Sequence, residues 1–521
     1  MKPQTDLQKA HERQKNRESL LETLESIIIA FVLAFLFRAF IVEAFVIPTG
    51  SMAATLNGGH LEFTCSDCGY PFAVGHEGRS ARVSDPVCPN CGLLQRLPDR
   101  VPLYSGDRIL VLKYLYHFEE PQRWDVIVFR NPNDPAENYI KRLVALPGET
   151  IELVHGDVTI DNRVVHKTDK AQEALWMIVH DTRYRPTRRG WLPRWVPDAA
   201  WKARDAGFVF EGPAPTDATA WLTYIHRDPA GRPANLLDFY AYNAATNGRQ
   251  PPSHICTDLG LHTEVVARMP TSRVLIDLRA YRDRFRFELT ARRSGVPTRI
   301  LVNGRVVAQS ADGVLPVGRP VEVLAANVDH KLVLLVGGKR VTGVLSGAAT
   351  PEGDPTYDPT PLSDLERRQF ENPPVPSASL PSTALGAGPS AASGADRAGA
   401  DPDQMAAAVR IGADGGPVAL GYLRLDRDVY YVNEPRHLSS GEGWVSGYGT
   451  EGNPFRLQAN EFFVCGDNSP RSNDSRLWDL PRPVVPENNL VGKAFFVYWP
   501  GAGWRYGIPV APDPTGWRFV H

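Results

Sequence analysis

The chain has 521 residues, which is too long for one ordinary hydrophobic core, so we expect a main domain and at least one inserted domain. Hydrophobic residues make up 43% of the sequence and charged residues 22%, as in ordinary globular proteins. The net charge of -2, with basic residues spread along the chain, argues against a nucleic-acid-binding protein.

The first predicted element is a transmembrane anchor over residues 20–43. It contains the uninterrupted apolar run 27–37, which flanking apolar turns extend towards the about 20 residues that a bilayer requires. Basic residues in the preceding segment, residues 1–19, predict that the N-terminus is cytoplasmic. We therefore expect a single-pass protein of the inner membrane, with the rest of the chain on the periplasmic side. A buried core helix and a cleavable signal peptide are the alternatives, and the long charged lead disfavours the signal peptide.

A turn with a serine follows the anchor. Residues 44–60 predict a short strand that ends in the turn Ile-Pro-Thr-Gly-Ser-Met at 47–52, because proline and glycine interrupt regular structure. Ser51 would then lie close to the outer face of the membrane. Taken alone, a serine in such a turn is most often only a turn residue.

Two paired cysteine motifs occupy residues 61–100. Their spacing is C-x2-C-x19-C-x2-C, and the residues are Cys65, Cys68, Cys88 and Cys91. Four thiolates on two tight turns suit tetrahedral zinc, so we predict a zinc ribbon with a structural ion. Two disulfides are the alternative, because this segment is placed outside the cytoplasm. The isolated Cys256 and Cys465 are expected to be small buried residues.

Short β-rich runs separated by turn residues fill residues 101–169. One of them carries Lys141, with the apolar residues Ile140 and Leu143 close by. Serine at neutral pH needs a neighbouring base. A lysine can be that base only where burial lowers its pKa from about 10.4. Without other motifs, Lys141 would be interpreted as a solvated strand residue.

The long middle segment, residues 170–435, predicts a β-sandwich. It contains many short apolar runs and tight turns, such as Asn303-Gly304, and this pattern favours a sandwich over a βαβ fold. Residues 373–408 are rich in Pro, Ser, Ala and Gly and predict a flexible surface loop. Strands are predicted to return at 418–425 and 429–432.

Several segments together resemble the type I signal peptidase (leader peptidase) family of serine–lysine proteases. They occur in the order of that family, at 47–52, 106–111, 123–129, 139–149 and 466–478. The chain departs from the family pattern at Ala54, Ser469 and Asp479, which puts loop geometry in question and removes no catalytic group.

The resemblance implies the roles of the reacting residues. Ser51 would be the nucleophile and Lys141 the general base. Thr49 and the backbone N–H of Ser51 would form the oxyanion hole. Ser472 would hydrogen-bond to Lys141 and orient it. Asp474 and Arg476 would support the site as a structural ion pair.

The expected fold is mainly β. It combines a signal-peptidase-type catalytic β domain, an N-terminal transmembrane helix, a zinc-ribbon insertion and an inserted β-sandwich. The catalytic domain would be assembled from residues 44–60, 101–169 and 436–521.

The expected function is that of signal peptidase I, an endopeptidase that removes signal peptides through an acyl-enzyme. Catalysis would need no cofactor. The partners would be precursor proteins that carry signal peptides, together with the lipid bilayer.

The inserted segment resembles a laminin-G or concanavalin-like jelly roll at 273–345 and 418–432, which implies a ligand of unknown identity or a spacer without one. We expect the catalytic fold to close without this insert. One alternative is a membrane-anchored surface binding protein that uses the jelly roll and has a vestigial protease core. A self-cleaving repressor is another, and it would need a DNA-binding domain and no anchor.

Overall fold

The structure is a computed structural model. It describes residues 6–76, 85–96, 103–212, 219–245, 253–341, 343–345, 347–371, 405–432, 436–437, 444–445, 447–499, 504–505, 508–509 and 517–521. Strands dominate this part of the chain, so the expectation of a mainly β fold is confirmed.

The N-terminal region is one long helix, α1 (Asp6–Phe40). Within it, the 18 residues Ser19–Leu36 are long and apolar enough to cross a membrane by length and composition. None of that window is buried against the rest of the protein. The helix begins inside the segment 1–19 that was predicted to precede the anchor. It ends before residue 43, because strand β1 begins at Val42.

Ten short strands and one helix follow in the first third of the chain. They are β1 (Val42–Val46), β2 (His60–Thr64), β3 (Pro71–Gly75), β4 (Leu103–Tyr104), β5 (Arg108–Leu112), β6 (Val126–Arg130), β7 (Asn138–Ala145), β8 (Thr150–Val154), β9 (Asp157–Ile160), β10 (Arg163–Val164) and α2 (Asp169–Leu175).

The middle of the chain adds fifteen strands and one helix. They are β11 (Met177–Asp181), β12 (Trp195–Pro197), β13 (Trp201–Arg204), β14 (Gly207–Phe210), β15 (Ala220–Tyr224), β16 (Leu259–Ala267), β17 (Arg273–Ala280), β18 (Asp283–Thr290), β19 (Arg299–Val302), β20 (Arg305–Gln309), β21 (Val321–Val328), β22 (Lys331–Val336), β23 (Lys339–Arg340), α3 (Asp364–Glu371), β24 (Ala407–Asp414) and β25 (Val418–Arg427).

The last described strands are short, except for one. They are β26 (Arg436–His437), β27 (Trp444–Val445), β28 (Phe455–Arg456), β29 (Glu461–Cys465), β30 (Val485–Pro486), β31 (Leu490–Trp499), β32 (Trp504–Arg505), β33 (Ile508–Pro509) and β34 (Arg518–Phe519).

One sheet joins the parts of the chain that resemble the peptidase. Its strand order is β1-β5-β31-β6-β7-β29-β30, and β34 also pairs with β31. Strand β7, which carries Lys141, is bonded on both sides, to β6 and to β29. Apolar clusters cover both faces of this sheet, one around Ile109 and Val126 and the other around Ile127 and Trp478. The lysine therefore lies on an interior strand of the sheet.

Two smaller sheets flank this one. A four-stranded sheet has the order β10-β9-β8-β28. A three-stranded sheet, β3-β2-β4, is part of the ribbon that holds the four paired cysteines. The ribbon follows the serine turn directly in the chain.

The middle of the chain forms two facing sheets. Their orders are β13-β14-β25-β16-β21-β22-β23 and β12-β15-β24-β17-β18-β19-β20, and β11 also pairs with β25. Alternate residues such as Phe285, Phe287 and Leu289 point into a shared apolar core. The predicted hairpin is present, with Asn303 and Gly304 both at positive φ, as a tight two-residue turn requires.

Two local predictions in the middle segment need correction. Most of the predicted loop 373–408 lies outside the described residues, but its last four residues do not form a surface loop, because Ala406 is fully buried and β24 begins at Ala407. The run 429–432 is not a strand. Its backbone bonds to separate partners instead: the Tyr431 N–H to the Gly156 carbonyl, and the Val432 N–H to Ser469 Oγ.

Candidate active site

The serine turn leaves the sheet immediately after β1. The Ile47 N–H donates to the Asp107 carbonyl at 2.8 Å, and Pro48 then ends the strand pairing. Ser51 lies in a single helical turn, Gly50–Met52, and is 8% exposed. The Ala53 N–H closes this turn on the Gly50 carbonyl at 3.1 Å. The serine side chain is therefore held by a short, hydrogen-bonded piece of backbone.

The last peptidase-like segment lies directly against this turn. The Asn468 N–H donates to the Ser51 carbonyl at 3.0 Å, and its side-chain amide donates to the Gly50 carbonyl at 2.8 Å. A Cβ atom on Gly466 would lie 2.4 Å from the Ser51 carbonyl oxygen, so this close approach requires glycine. No separate pattern in the sequence indicated a role for Asn468, although it lies inside the matching segment.

Lys141 is brought to Ser51 across 90 residues of sequence. Its Nζ donates to Ser51 Oγ at 2.8 Å and to the Ile140 carbonyl at 3.0 Å. The side chain is 4% exposed and passes over the Tyr139 ring, with Nζ 5.4 Å from the ring centre. The serine and lysine that were predicted to react therefore form a direct, buried hydrogen bond.

Burial governs the protonation of Lys141. Removal from water lowers the pKa of its amine from 10.5 to about 8, although the carboxylates of Asp474 and Asp467 act in the opposite direction. A substantial fraction of the amine is therefore neutral near pH 8. A neutral amine can accept a proton from a hydroxyl group at 2.8 Å, as a general base must.

Asp474 and Arg476 form a buried pair beneath the site. Their side chains meet through two hydrogen bonds, at 2.7 and 2.8 Å, and both residues are at most 2% exposed. Arg476 also donates to the Val432 carbonyl and to Ser469 Oγ, while Asp474 accepts from the Gly466 N–H. Burial alone would raise the pKa of Asp474, but the guanidinium of Arg476 lowers it below its usual value. The pair fixes the loop that contacts Ser51.

The two other predicted site residues are Ser472 and Thr49. Ser472 is fully buried and its Oγ interacts with the Asp474 carboxylate, and no hydrogen bond joins it to Lys141 in the part of the chain that the structure describes. The amine of Lys141 donates instead to Ser51 and to the Ile140 carbonyl. Thr49 is exposed and extended just before the turn, and its side chain does not cap that turn.

The sequence reasoning missed a second buried ion pair. Arg142, next to Lys141 on β7, donates to both oxygens of Asp467 at 2.7 Å. Both side chains are at most 2% exposed. Such a two-pronged contact fixes geometry as well as charge. It joins the lysine strand to the loop that contacts Ser51. The signal in the sequence that could have identified it was a pair of opposite charges, one in each of two matching segments.

The four paired cysteines converge at one point. Each pair lies on the same kind of turn: the N–H of Gly69 donates to the Cys65 carbonyl, and that of Gly92 to the Cys88 carbonyl, both at 2.9 Å. Both glycines have positive φ, about 75° and 73°. All four cysteines are buried free thiols, and their sulfurs lie within 4.8 Å of one another. The four cysteines are thus close enough to hold one metal ion.

The sulfur distances can be compared with those of a zinc site. Tetrahedral zinc with bonds of about 2.3 Å places neighbouring sulfurs about 3.8 Å apart. The Cys65–Cys91 and Cys68–Cys88 sulfurs are 3.6 and 3.7 Å apart. Gln95 also donates to the Cys65 sulfur, a contact that stabilises a thiolate ligand. The distances are therefore compatible with a structural zinc site.

A group of four carboxylates lies where the four-stranded sheet meets the sandwich. Asp157, Asp258, Asp329 and Asp428 place ligand oxygens within 4.8 Å of one another. Lys167 enters this group, with ion pairs to Asp329 and, at 2.7 Å, to Asp428. Burial alone would lower the pKa of Lys167, but these carboxylates raise it. The buried ammonium therefore joins the two parts of the protein.

Comparisons with solved structures found only slight similarities to this chain. A carbohydrate-binding module from Bacillus subtilis is 6% identical with a TM-score of 0.24, covering 45% of this chain and 96% of that module. Trypanosoma rangeli sialidase is 10% identical with a TM-score of 0.23, covering 44% of this chain and 26% of the sialidase. At these TM-scores the likeness is too slight to assign a ligand.

Curated relatives match a smaller part of the chain. Signal peptidase I of Rickettsia typhi is 28% identical over 155 residues, which are 30% of this chain and 48% of that protein. Signal peptidase I of Rickettsia canadensis is 33% identical over 142 residues, which are 27% of this chain and 43% of that protein. The chain thus spans slightly less than half the length of the curated relatives it matches.

A family model places these similarities in the chain. The model described as "Signal peptidase, peptidase S26" matches residues 101–192 and 428–499. These two stretches include the lysine strand and the loop that contacts the serine turn, and most of the sandwich lies between them. The resemblance to the signal peptidase family that the sequence suggested is confirmed over these two stretches.

Proposed function

We propose that this protein is a signal peptidase I: a membrane-anchored endopeptidase that removes signal peptides from exported precursors. The observation that carries the proposal is the 2.8 Å hydrogen bond between Lys141 Nζ and Ser51 Oγ, made inside a buried site. The kinship with signal peptidases supports the choice of substrate. The family resemblance implies precursors with small residues at the first and third positions before the cleavage site.

The reaction begins with proton transfer from Ser51 to neutral Lys141. The freed Oγ attacks the scissile carbonyl, the ammonium of Lys141 protonates the leaving amine, and an acyl-enzyme forms. Lys141 then takes a proton from water, which attacks the acyl-enzyme and regenerates Ser51. Because the pKa of Lys141 is lowered to about 8, the amine is partly neutral near neutral pH without a third ionisable group.

The oxyanion of each tetrahedral intermediate needs hydrogen-bond donors in fixed positions. We assign this role to the backbone N–H of Ser51 and to the hydroxyl group of Thr49. The turn that presents them is fixed from behind by Asn468, which bonds to the Gly50 and Ser51 carbonyls. The exposure of Thr49 leaves its hydroxyl accessible to an incoming peptide.

Helix α1 is assigned as the anchor of the enzyme. Its apolar window Ser19–Leu36 is exposed, and basic residues in 1–19 favour a cytoplasmic N-terminus. Only a short strand, β1, separates the end of the helix from the serine turn. This arrangement would put Ser51 at the outer surface of the inner membrane, where an exported precursor is still attached through its signal peptide.

We assign the rest of the chain to three parts. Residues 44–60, 101–169 and 436–521 form the catalytic domain, residues 61–100 a zinc ribbon, and residues 170–435 a β-sandwich. Cys65, Cys68, Cys88 and Cys91 would hold a zinc ion that stabilises the ribbon, and a closed four-cysteine site leaves no position for substrate.

A vestigial core attached to a surface binding module is the competing function. A vestigial core would have no use for a buried lysine, and burying an amine lowers the stability of the fold. The contact between Lys141 and Ser51 therefore favours the enzyme.

The proposal is tested by cleavage of a precursor protein by the full-length chain in detergent or vesicles. Ser51→Ala and Lys141→Met should each lower the cleavage rate by about a thousandfold or more, and the double variant should be no slower than either, because the two groups act as one unit. Lys113→Met is the matched control, since Lys113 pairs with Glu43 away from Ser51. Cleavage that survives in Ser51→Ala would refute the assignment.

A further inference from the structure

One segment of the sandwich reaches the serine turn. This site-facing segment, residues 236–245, leaves the sandwich core at Leu236. Arg427, at the end of β25, donates to the Phe239 carbonyl at 2.9 Å, and its guanidinium lies 5.0 Å from the centre of the Tyr240 ring. The position of the segment is therefore set by the sandwich.

Tyr242, in this segment, packs against the turn that presents Ser51. A Cβ atom on Gly50 would lie 2.1 Å from the Tyr242 ring, and one on Gly75 of the ribbon 2.4 Å from it. The tyrosine hydroxyl donates to the Gly59 carbonyl at 3.2 Å, and the residue is only 4% exposed. The ring thus fills the space between the serine turn and the ribbon, which two glycines leave open.

Asn243 bonds to the residue that holds the serine turn. The side-chain amides of Asn243 and Asn468 exchange two hydrogen bonds, each 2.8 Å long. The same Asn468 amide bonds to the Gly50 carbonyl at 2.8 Å, and the Asn468 N–H bonds to the Ser51 carbonyl. Asn243 therefore fixes the orientation of the amide that supports Ser51 from behind.

The segment also contacts the lysine side of the site. The Tyr240 hydroxyl donates to the Asp467 carbonyl at 3.2 Å. The Asp467 carboxylate is paired with Arg142, whose neighbour on β7 is Lys141. Three side chains of one segment thus contact the structure around both Ser51 and Lys141.

We propose that Tyr242 and Asn243 are positioning residues for Ser51, and that the sandwich is part of the catalytic unit of this enzyme. The expected changes in kcat rest on the proposed function, whereas the expected changes in structure rest only on the contacts above. The proposal replaces the expectation that the catalytic fold closes and works without residues 170–435. Without the insert, Asn468 would lose its amide partner, and Gly50 and Gly75 would face an empty space.

The physical reason is the precision that a nucleophile needs. Attack requires Ser51 Oγ to lie within about 3–3.5 Å of the scissile carbonyl in the correct direction, and a displacement of about 1 Å can lower the rate about a hundredfold. The serine turn contains only three residues, so external contacts have to hold it. Asn468 and Tyr242 provide these contacts on the two sides of Gly50.

Point variants of the full-length chain test the proposal through the split between kcat and KM. Asn243→Ala and Tyr242→Ala should each lower kcat for precursor cleavage by about tenfold to a hundredfold, with little change in KM. Tyr242→Phe keeps the ring on Gly50 and should recover most of the activity. Asn235→Ala is the matched control, because its amide bonds to Phe370 inside the sandwich.

Hydrogen exchange gives a second measurement that needs no catalysis. In Asn243→Ala, the peptide spanning 48–57 should exchange about tenfold faster, because the Ala53 and Leu56 amides donate to the Gly50 and Met52 carbonyls of the serine turn. The same peptide should keep its protection in Asn235→Ala. If cleavage fails in the wild type while the exchange pattern appears, the proposed function is wrong and the positioning contact stands.

Two results would overturn the proposal. One is unchanged exchange of the 48–57 peptide in both Asn243→Ala and Tyr242→Ala. The other is an equal loss of kcat in Asn235→Ala, because the effect would then be a general loosening of the sandwich.

Discussion

Replacement of Lys141 by methionine should stabilise the folded protein while it abolishes catalysis. A fall in pKa from 10.5 to about 8 means that burying this amine costs about 3 kcal/mol whenever it is charged in the unfolded chain. Methionine fills a similar volume without that cost. The variant loses the hydrogen bonds to Ser51 and to the Ile140 carbonyl, worth about 1 kcal/mol each, so the net gain near pH 7 is about 1 kcal/mol.

The pH dependence makes this prediction specific. In the unfolded chain the amine titrates near 10.5, and in the folded protein near 8. The wild type should therefore gain stability as the pH rises from 8 to 10.5, where the unfolded state binds more protons, and the Lys141→Met variant should lack this gain. The stability of Lys141→Met relative to the wild type should be highest below pH 8. By about pH 10.5 this relative stability should have fallen by about 3 kcal/mol.

The assay is chemical denaturation of both proteins in detergent at pH 7 and pH 10.5, followed by tryptophan fluorescence, since Trp478 is buried in the catalytic core. Lys113→Met serves as the control, because Lys113 is partly exposed and paired with Glu43. A stability difference between Lys141→Met and the wild type that is independent of pH would refute the claim that burial lowers the pKa of the Lys141 amine.

Two further predictions concern the supporting structure. Asp474→Asn leaves the guanidinium of Arg476 buried without its counter-charge, so it should lower the free energy of unfolding by about 3–5 kcal/mol, measured by the same denaturation; a loss below about 1 kcal/mol would contradict a structural ion pair. Purified protein should contain about one equivalent of zinc by elemental analysis, and Cys88→Ser should lose most of it. Absence of zinc together with four thiols that react only after reduction would favour the disulfides.

The roles of Ser51 and Lys141 could be predicted from the sequence because several segments together resemble the signal peptidase family, whereas either residue alone would have had a plain structural interpretation. The apolar neighbours of Lys141 indicated burial, and the Pro-Thr-Gly-Ser turn indicated a break after a strand. The structure places the two side chains 2.8 Å apart. The convergence of the four paired cysteines could also be predicted, because two C-x2-C turns in one short segment have few roles other than to hold a common metal ion or to form disulfides.

The contacts between domains could not be predicted in this way. Asn243 meets Asn468 across 225 residues, and neither lies in a periodic or charged pattern that would identify its partner. The Ser472 bond to Lys141 was expected from position alone, and position does not determine where a buried hydroxyl points. The run 429–432 has strand composition, but the catalytic loop uses its backbone groups individually.

The pH dependence of kcat/KM for precursor cleavage shows whether buried Lys141 is the general base, because it reports the ionisation of the free enzyme. Activity should rise with pH through one ionisation near 8, the pKa expected for Lys141 opposite Ser51. Asn243→Ala should keep that midpoint while its plateau falls. A midpoint near 10.5, or measurable cleavage by Lys141→Met with an unchanged profile, would contradict the claim that buried Lys141 is the base.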